Sequence, residues 1–252
     1  VMTRAESMGV CFRLLDDDGE LRIPGHVRQN ETNPALGLKG IRLLLAEQTM
    51  FRTQLRALLR LGGVLDIAVP FVTSLRDLRQ LRRAIREERA ELLKKDLACA
   101  EKVRLGALVE VPATAFHLGH IAEEADYLII ALDDLQQYLL AADRDNLGVA
   151  EYYRTYHPAL FRLLEQINDE SRLLGKDLTL FGEGVVDPQR LPFYVGLGIR
   201  RFSVSPESAA QLGSIMGEWT RAETEELARA VLAAETAQEV ERVLLQRQKG
   251  TS

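Results

Sequence analysis

Two adjacent carboxylates, Asp133 and Asp134, follow the apolar run Tyr127–Ala131, and Arg144 comes ten residues after the second. The apolar run reads as a buried strand of a parallel sheet. Carboxylates at the C-terminal end of such a strand are the hard oxygen donors that Mg²⁺ takes, and a nearby arginine suits a phosphate or a carboxylate. A plainer alternative has Asp133 capping the next helix and Asp134 merely solvated. Glu110 adds a third acid. It closes the apolar strand Arg104–Glu110, a costly place for a carboxylate unless it is paired or metal-bound. Glu110 and Asp134 together make a two-carboxylate Mg²⁺ site, with water and ligand completing the octahedron. A structural ion pair with an arginine is the competing reading of Glu110.

Other residue types carry less. His117 and His120 lie three apart on one expected helix, without a third ligand at zinc spacing. His157, just before Pro158, suits a loop-positioning role better than proton transfer. There is no G-x-S-x-G elbow, no phosphate-cradling G-x-x-x-x-G-K-[ST] loop and no dinucleotide glycine pattern. Cys11 and Cys99 are too few for a disulfide framework or a zinc site, which fits a reduced, cytoplasmic setting. A net charge of −5 supplies no broad basic field, so nucleic acid is not expected as a partner. No apolar run approaches the roughly 20 residues of a membrane helix, and no secretory signal is visible. The chain opens on Val1, as a trimmed piece of a longer product would.

The elements that must hold these residues follow from periodicity. Short apolar runs at Val10–Leu15, Val64–Val69, Arg104–Glu110, Tyr127–Ala131, Asp177–Phe181 and Arg201–Val204 read as strands. Between them the 3.6-residue pattern predicts helices over Pro34–Leu61, from Thr73 or Ser74 to Lys95, Pro112–Glu124, Pro158–Leu174 and Pro188–Gly196. Two more follow, near Pro206–Trp219 and Ala222–Gln248. Alternating strands and helices mean βα units on a parallel sheet. With 252 residues, 46% of them hydrophobic, the chain is long enough for one α/β barrel. Residues 1–252 are therefore expected to form a single (β/α)8 TIM barrel with an irregular or shortened N-terminal part. Two strands beyond the clear six are sought at the N-terminus and in 20–33. In such a barrel the reactive groups stand at strand C-terminal ends, which selects Glu110, then Asp133 and Asp134, then Gly182-Glu183.

The motifs in order resemble one family, the phosphoenolpyruvate-utilising enzymes, and most closely the C-terminal barrel of Enzyme I of the sugar phosphotransferase system. Asn33-Pro-Ala-Leu-Gly-Leu-Lys-Gly-Ile-Arg42 is similar to N-P-x-L-G-x-R-x-I-R, and Gln54-Leu-Arg-Ala-Leu-Leu-Arg60 to Q-L-R-A-I-L-R. Val109-Glu-Val-Pro-Ala113 resembles the metal-ligand segment V-E-x-P-A, Ala131-Leu-Asp-Asp-Leu135 resembles G-T-N-D-L, and Ala141-Ala-Asp-Arg144 resembles A-x-D-R. Tyr156-His-Pro-Ala159 and Gly196-Leu-Gly198 also match in order. The resemblance implies Glu110 and Asp134 as Mg²⁺ ligands and Arg144 as a phosphoryl contact. It implies Asp133 and Lys39 as substrate-binding positions, where the family has asparagine and arginine. Arg4, in Arg4-Ala-Glu6, echoes the family's L-R-T-E. In the second upstream segment Cys11 falls at the arginine position, with Arg13 two residues on.

Three departures bear on the inherited reaction. Phe181 stands where the resemblance implies the cysteine acid that protonates the enolate carbon of pyruvate, and a phenyl ring donates no proton. Asp133 sets a carboxylate beside a trianionic substrate, and the swivelling phosphohistidine domain is not within this sequence. The expected function is a Mg²⁺-dependent phosphoenolpyruvate- or pyruvate-binding barrel with impaired or lost phosphoryl transfer. Two alternatives stand beside it: a lyase or aldolase acting on a small 2-oxoacid through a metal-bound enolate, and a structural or dimerisation module with a vestigial pocket. The resemblance implies a homodimer in each case.

Overall fold

The computed structural model describes residues 9–17, 31–153 and 156–246. The chain divides into two compact units. The first comprises Val1–Leu108 and His120–Tyr127, the second Val109–Gly119 and Leu128–Ser252.

In the first unit three strands run parallel in chain order: β1 (Cys11–Arg13), β2 (Val64–Val69) and β3 (Lys102–Val109). Cys11 pairs with Asp66, and Val64–Val69 is in register with Lys102–Ala107. Leu65, Ile67, Val69 and Leu105 are fully buried on one face and Ala68 and Leu108 are buried on the other, as expected of strands covered on both faces. The expected helix over Pro34–Leu61 divides. Pro34–Leu36 is a single 3-10 turn, followed by α1 (Gly40–Ala46) and α2 (Gln48–Leu59). The break at Glu47 is held by the Gln48 side-chain amide, which donates to the Leu45 carbonyl at 2.7 Å. Leu44, Phe51, Leu55 and Leu59 bury the expected apolar stripe. Helix α3 (Leu75–Lys94) starts as predicted, on a reciprocal capping box between Ser74 and Asp77. Buried Glu88 ties it to α2 through Arg52 and Arg56.

The second unit carries β4 (Tyr127–Ala131), β5 (Leu178–Phe181) and β6 (Arg201–Ser203), again parallel and in chain order. Before β4 come α4 (Pro112–Phe116) and α5 (Leu118–Glu124, assigned to the first unit from His120 on) in place of one helix, interrupted at His117. Helix α6 (Leu132–Leu140) follows β4 without a loop. Then come α7 (Pro158–Leu173), α8 (Leu191–Leu197), α9 (Pro206–Gly217), α10 (Arg221–Ala233) and α11 (Ala237–Leu245). The expected single helix Ala222–Gln248 breaks at Ala234, which is extended, and restarts on a Thr236–Glu239 capping box. Its last two residues lie outside the described residues. Helices α8 and α10 pack most closely, because Gly196 brings the α8 backbone against the Thr224 carbonyl. Phe161 meets Phe193 edge to face at 4.9 Å beneath them.

The α/β class and all six predicted strands are present; β2 and β4 have the predicted bounds, and the other four differ by one or two residues at an end. A closed eight-stranded barrel is not shown: six strands form among the described residues, and of the N-terminus and 20–33, where two more were sought, residues 1–8 and 20–30 lie outside them.

Candidate functional site

The second unit collects most of the acids and bases singled out above. Glu110 is the first residue past β3 and is fully buried, at 0% exposure. Pro112 then starts α4, whose missing amide hydrogen costs nothing in a first helical turn. Helix α4 packs on α6, and α6 packs on the 3-10 turn Glu183–Val186. The register Ala131↔Phe181 puts the ends of β4 and β5 side by side. Asp133 and Asp134 enter in the first turn of α6, where the helix dipole favours negative charge.

The two aspartates have different fates. Asp134 Oδ1 pairs with Arg144 Nη2 at 3.2 Å. Arg144 is brought there because α6 ends in a left-handed Ala141 and the Arg144 backbone N–H donates to Gln137 Oε1 at 3.0 Å. Burial works against the Arg144 charge, but Asp134, Tyr153 and Asp133 more than offset this and hold its proton more tightly than usual. Asp133 instead turns onto the neighbouring loop. Its Oδ2 accepts the Glu183 N–H at 2.7 Å and its Oδ1 the Gly184 N–H at 3.3 Å. The carboxylate fits because residue 182 is glycine: a Cβ there would lie 2.6 Å from Asp133 Oδ2, and its φ of 136° suits glycine alone. Asp133 is thus a loop clamp, close to the capping alternative but directed at the Glu183–Val186 turn rather than at its own helix.

Two groups join the cluster without any motif to announce them. The Tyr153 hydroxyl donates to the Asp133 carbonyl at 3.3 Å, and burial with the Asp133 charge pushes its pKa up to about 12. Arg190, 5% exposed, pairs through Nε with Asp187 Oδ2 at 2.9 Å. No local pattern distinguishes either from an ordinary surface residue; only the Asp187-Pro188 turn ahead of Arg190 offered a hint. Phe181 occupies the end of β5, and the Glu183 side chain is exposed.

The remaining substrate-position residues belong to the first unit. Lys39 is 3% exposed, its Nζ 3.8 Å from Asp16 Oδ1 and 5.3 Å from the centre of the Phe71 ring. Arg13 Nη2 pairs with the same aspartate at 3.0 Å. Arg42 stacks on Phe71 at 4.5 Å, and Phe71 holds a left-handed backbone (φ 59°) that a phenylalanine adopts only at a cost. Cys11 meets the Tyr127 hydroxyl at 3.2 Å. Cys11 is exposed at its surface, and the partial burial of its thiol raises the thiol pKa. Arg4 lies outside the described residues. The two histidines expected on one helix are separated by the break at His117; both are exposed. His157 caps α7, its Nδ1 accepting the Ala159 N–H at 3.2 Å, in keeping with a positioning role.

Among the described residues no three His, Cys, Asp or Glu side chains gather into a metal cage. Glu110 and Asp134 offer only hard oxygen donors, a set that fits Mg²⁺, which takes one or two protein carboxylates and fills its shell with water and ligand oxygens. It does not fit zinc, which favours nitrogen and sulfur. No helix among the described residues is long and apolar enough to cross a membrane.

The comparisons with known proteins agree with the motifs. Residues 1–219 match the family described as PEP-utilising enzyme, PEP-binding domain. A phosphoenolpyruvate-protein phosphotransferase of Geobacillus stearothermophilus is 37% identical over 242 residues, covering 95% of this chain and 42% of that protein. A protein of Escherichia coli K12 described as phosphoenolpyruvate-dependent phosphotransferase system is 38% identical over 236 residues, covering 92% of this chain and 31% of that one. The chain thus spans less than half the length of these relatives. Among solved structures it is similar to a citrate lyase of Burkholderia xenovorans, with 17% identity, a TM-score of 0.48, and coverage of 79% of this chain and 69% of that one. With the sequence match spanning nearly the whole chain, this protein belongs to the phosphoenolpyruvate-utilising enzymes and carries their phosphoenolpyruvate-binding domain.

Proposed function

We propose that this chain is a Mg²⁺-dependent binding module for phosphoenolpyruvate, pyruvate or a similar small 2-oxoacid, in which phosphoryl transfer is impaired or lost. The observation that carries the reading is one of retention and loss. The two carboxylates and the arginine of the family pattern are kept at Glu110, Asp134 and Arg144, while Phe181 stands at the acid position. Glu110 and Asp134 would hold Mg²⁺, which supplies charge neutralisation and polarisation of a bound carboxylate or enolate oxygen. Arg144 would contact the phosphoryl group, and Lys39, Asp133, Arg13 and Arg4 would belong to the substrate positions. Lysine at 39 keeps the charge but not the bidentate fork of an arginine, which weakens its grip on phosphate.

Phe181 decides the chemistry. An enolate formed in such a site needs a proton donor at carbon, and the aromatic ring offers none. The Asp133 oxygens accept the Glu183 and Gly184 amides, which soften but do not remove its negative charge. The reading includes a (β/α)8 barrel formed by residues 1–252 as a single domain, association as a homodimer, and a cytoplasmic setting without nucleic-acid or membrane partners. The test of the chemistry is pyruvate in D₂O with Mg²⁺ and the protein, followed by proton NMR. Methyl exchange should stay at the buffer rate while ligand resonances broaden on binding. Exchange clearly faster than buffer would overturn the loss of the proton donor.

A further inference from the structure

Arg190 is a buried cation of the second unit that the Mg²⁺ and phosphoryl assignments leave unused. It is 5% exposed, deeper than Arg144, and its guanidinium is fixed by one strong bond to Asp187 Oδ2 at 2.9 Å. Its Nη2 fills the space that a side chain at Gly184 would take. Asp133 Oδ1 lies 3.1 Å from where that same Cβ would stand. The guanidinium and the carboxylate therefore both border the space that a side chain at residue 184 would fill. Buried Nη1 has no hydrogen-bond partner among the described residues, and neither has the fully buried Tyr194 hydroxyl. A guanidinium buried with one of its nitrogens unsatisfied is expensive and is not explained by the Asp187 pair alone. The field around it, from Tyr194, Asp187 and Asp133, outweighs burial and keeps it charged.

We propose that Arg190 is a positioning residue for the anion pocket: it balances the charge of Asp133 across Gly184, so that a multiply charged ligand can be held beside Asp134 and Arg144. The proposal rests on the phosphoenolpyruvate-binding reading. Without Arg190, the Asp133 and Asp187 carboxylates lose the buried cation that acts on both, and Arg144 is left to balance Asp133 as well as Asp134. Repulsion felt by an incoming ligand then grows with the ligand's charge. That dependence on charge separates this role from a structural one, because a collapsed loop weakens every ligand alike.

The experiment is calorimetry with Mg²⁺ and three anions of rising charge: pyruvate, oxalate and phosphoenolpyruvate. It uses wild type, Arg190→Met, Arg190→Lys and the double variant Arg190→Met/Asp133→Asn. Arg190→Met should lose affinity in the order of ligand charge, with a loss for phosphoenolpyruvate on the order of tenfold greater than for pyruvate. Arg190→Lys, which keeps the charge, should follow wild type. The double variant, which removes both charges, should regain most of the phosphoenolpyruvate affinity. Equal losses for the three anions, or no recovery in the double variant, would overturn the proposal while leaving the binding reading intact. Wild type that binds none of the three removes the binding reading, and this proposal with it. Should Arg190→Met fail to fold, the Lys and double variants carry the test: a charge-graded loss in the Lys variant, or in the double variant, overturns the proposal.

Discussion

Replacing Asp133 by asparagine exchanges one carboxylate oxygen for an amide NH₂ and tests the clamp between α6 and the Glu183–Val186 turn. In the native protein Oδ2 accepts the Glu183 N–H at 2.7 Å and Oδ1 the Gly184 N–H at 3.3 Å, both charge-assisted. An asparagine has one acceptor for two donors, so its own amide must face an N–H and the longer bond is lost. A neutral hydrogen bond contributes about 0.5–1.5 kcal/mol and one to a charged group about 1.5–3. Loss of the charge on the short bond therefore removes about 1 kcal/mol, and loss of the long, weak bond about 0.5 more. The expected destabilisation is about 1.5 kcal/mol, or about 3–6 °C in melting temperature for a chain of this size. Asp133→Ala, which loses both acceptors, should cost more. Urea denaturation followed by circular dichroism reads both variants, with the slope unchanged if only the folded state is affected. A destabilisation of the asparagine variant below about 0.5 kcal/mol, or a rise in stability, would refute the clamp; so would an alanine variant no worse than the asparagine one.

Three further outcomes follow from the same geometry. Gly196→Ala sets a Cβ against the Thr224 carbonyl, with Ala228 Cβ 3.0 Å away; prying α8 from α10 should cost about 1–3 kcal/mol, and a thermal melt unchanged from wild type would contradict the contact. Tyr153, its pKa pushed up to about 12 by burial and by Asp133, binds its proton more tightly folded than unfolded. Its contribution to stability is therefore full below pH about 10 and is lost as pH rises from there towards 12. Tyr153→Phe should flatten part of that alkaline slope in denaturation at stepped pH. Phe181→Cys should raise pyruvate methyl exchange in D₂O by roughly a hundredfold. Phosphoryl transfer to a histidine carrier added separately should stay at background, because Lys39 still lacks an arginine's fork.

How far the sequence reached depends on what each feature rests on. Strands such as Val64–Val69 and Tyr127–Ala131 are unbroken apolar runs bounded by turn residues, and they appear where periodicity puts them. The helix over Pro34–Leu61 and the one over Ala222–Gln248 were harder, because an apolar stripe continues across a break that only local hydrogen bonds create. One of those breaks is written in the chain: Thr236-x-x-Glu239 is a capping box, which marks a new helix start. The break at Glu47, held by a glutamine side chain, left no comparable mark. At the site, the acids were legible because they end strands. The direction in which Asp133 points was not, since it depends on amides fifty residues away, on a turn whose glycines make room for it. Tyr153 and Arg190 are joined to the site by packing alone, which no spacing rule encodes.

Oxalate, a planar dianion shaped like the enolate of pyruvate, gives the most direct test of a Mg²⁺-dependent site for phosphoenolpyruvate or pyruvate. It would be titrated into the protein by calorimetry with and without Mg²⁺, and against Glu110→Gln. Saturable heat that needs Mg²⁺ and is lost with Glu110→Gln is the predicted result. No detectable heat with oxalate, phosphoenolpyruvate or pyruvate at millimolar concentration and saturating Mg²⁺ would contradict it.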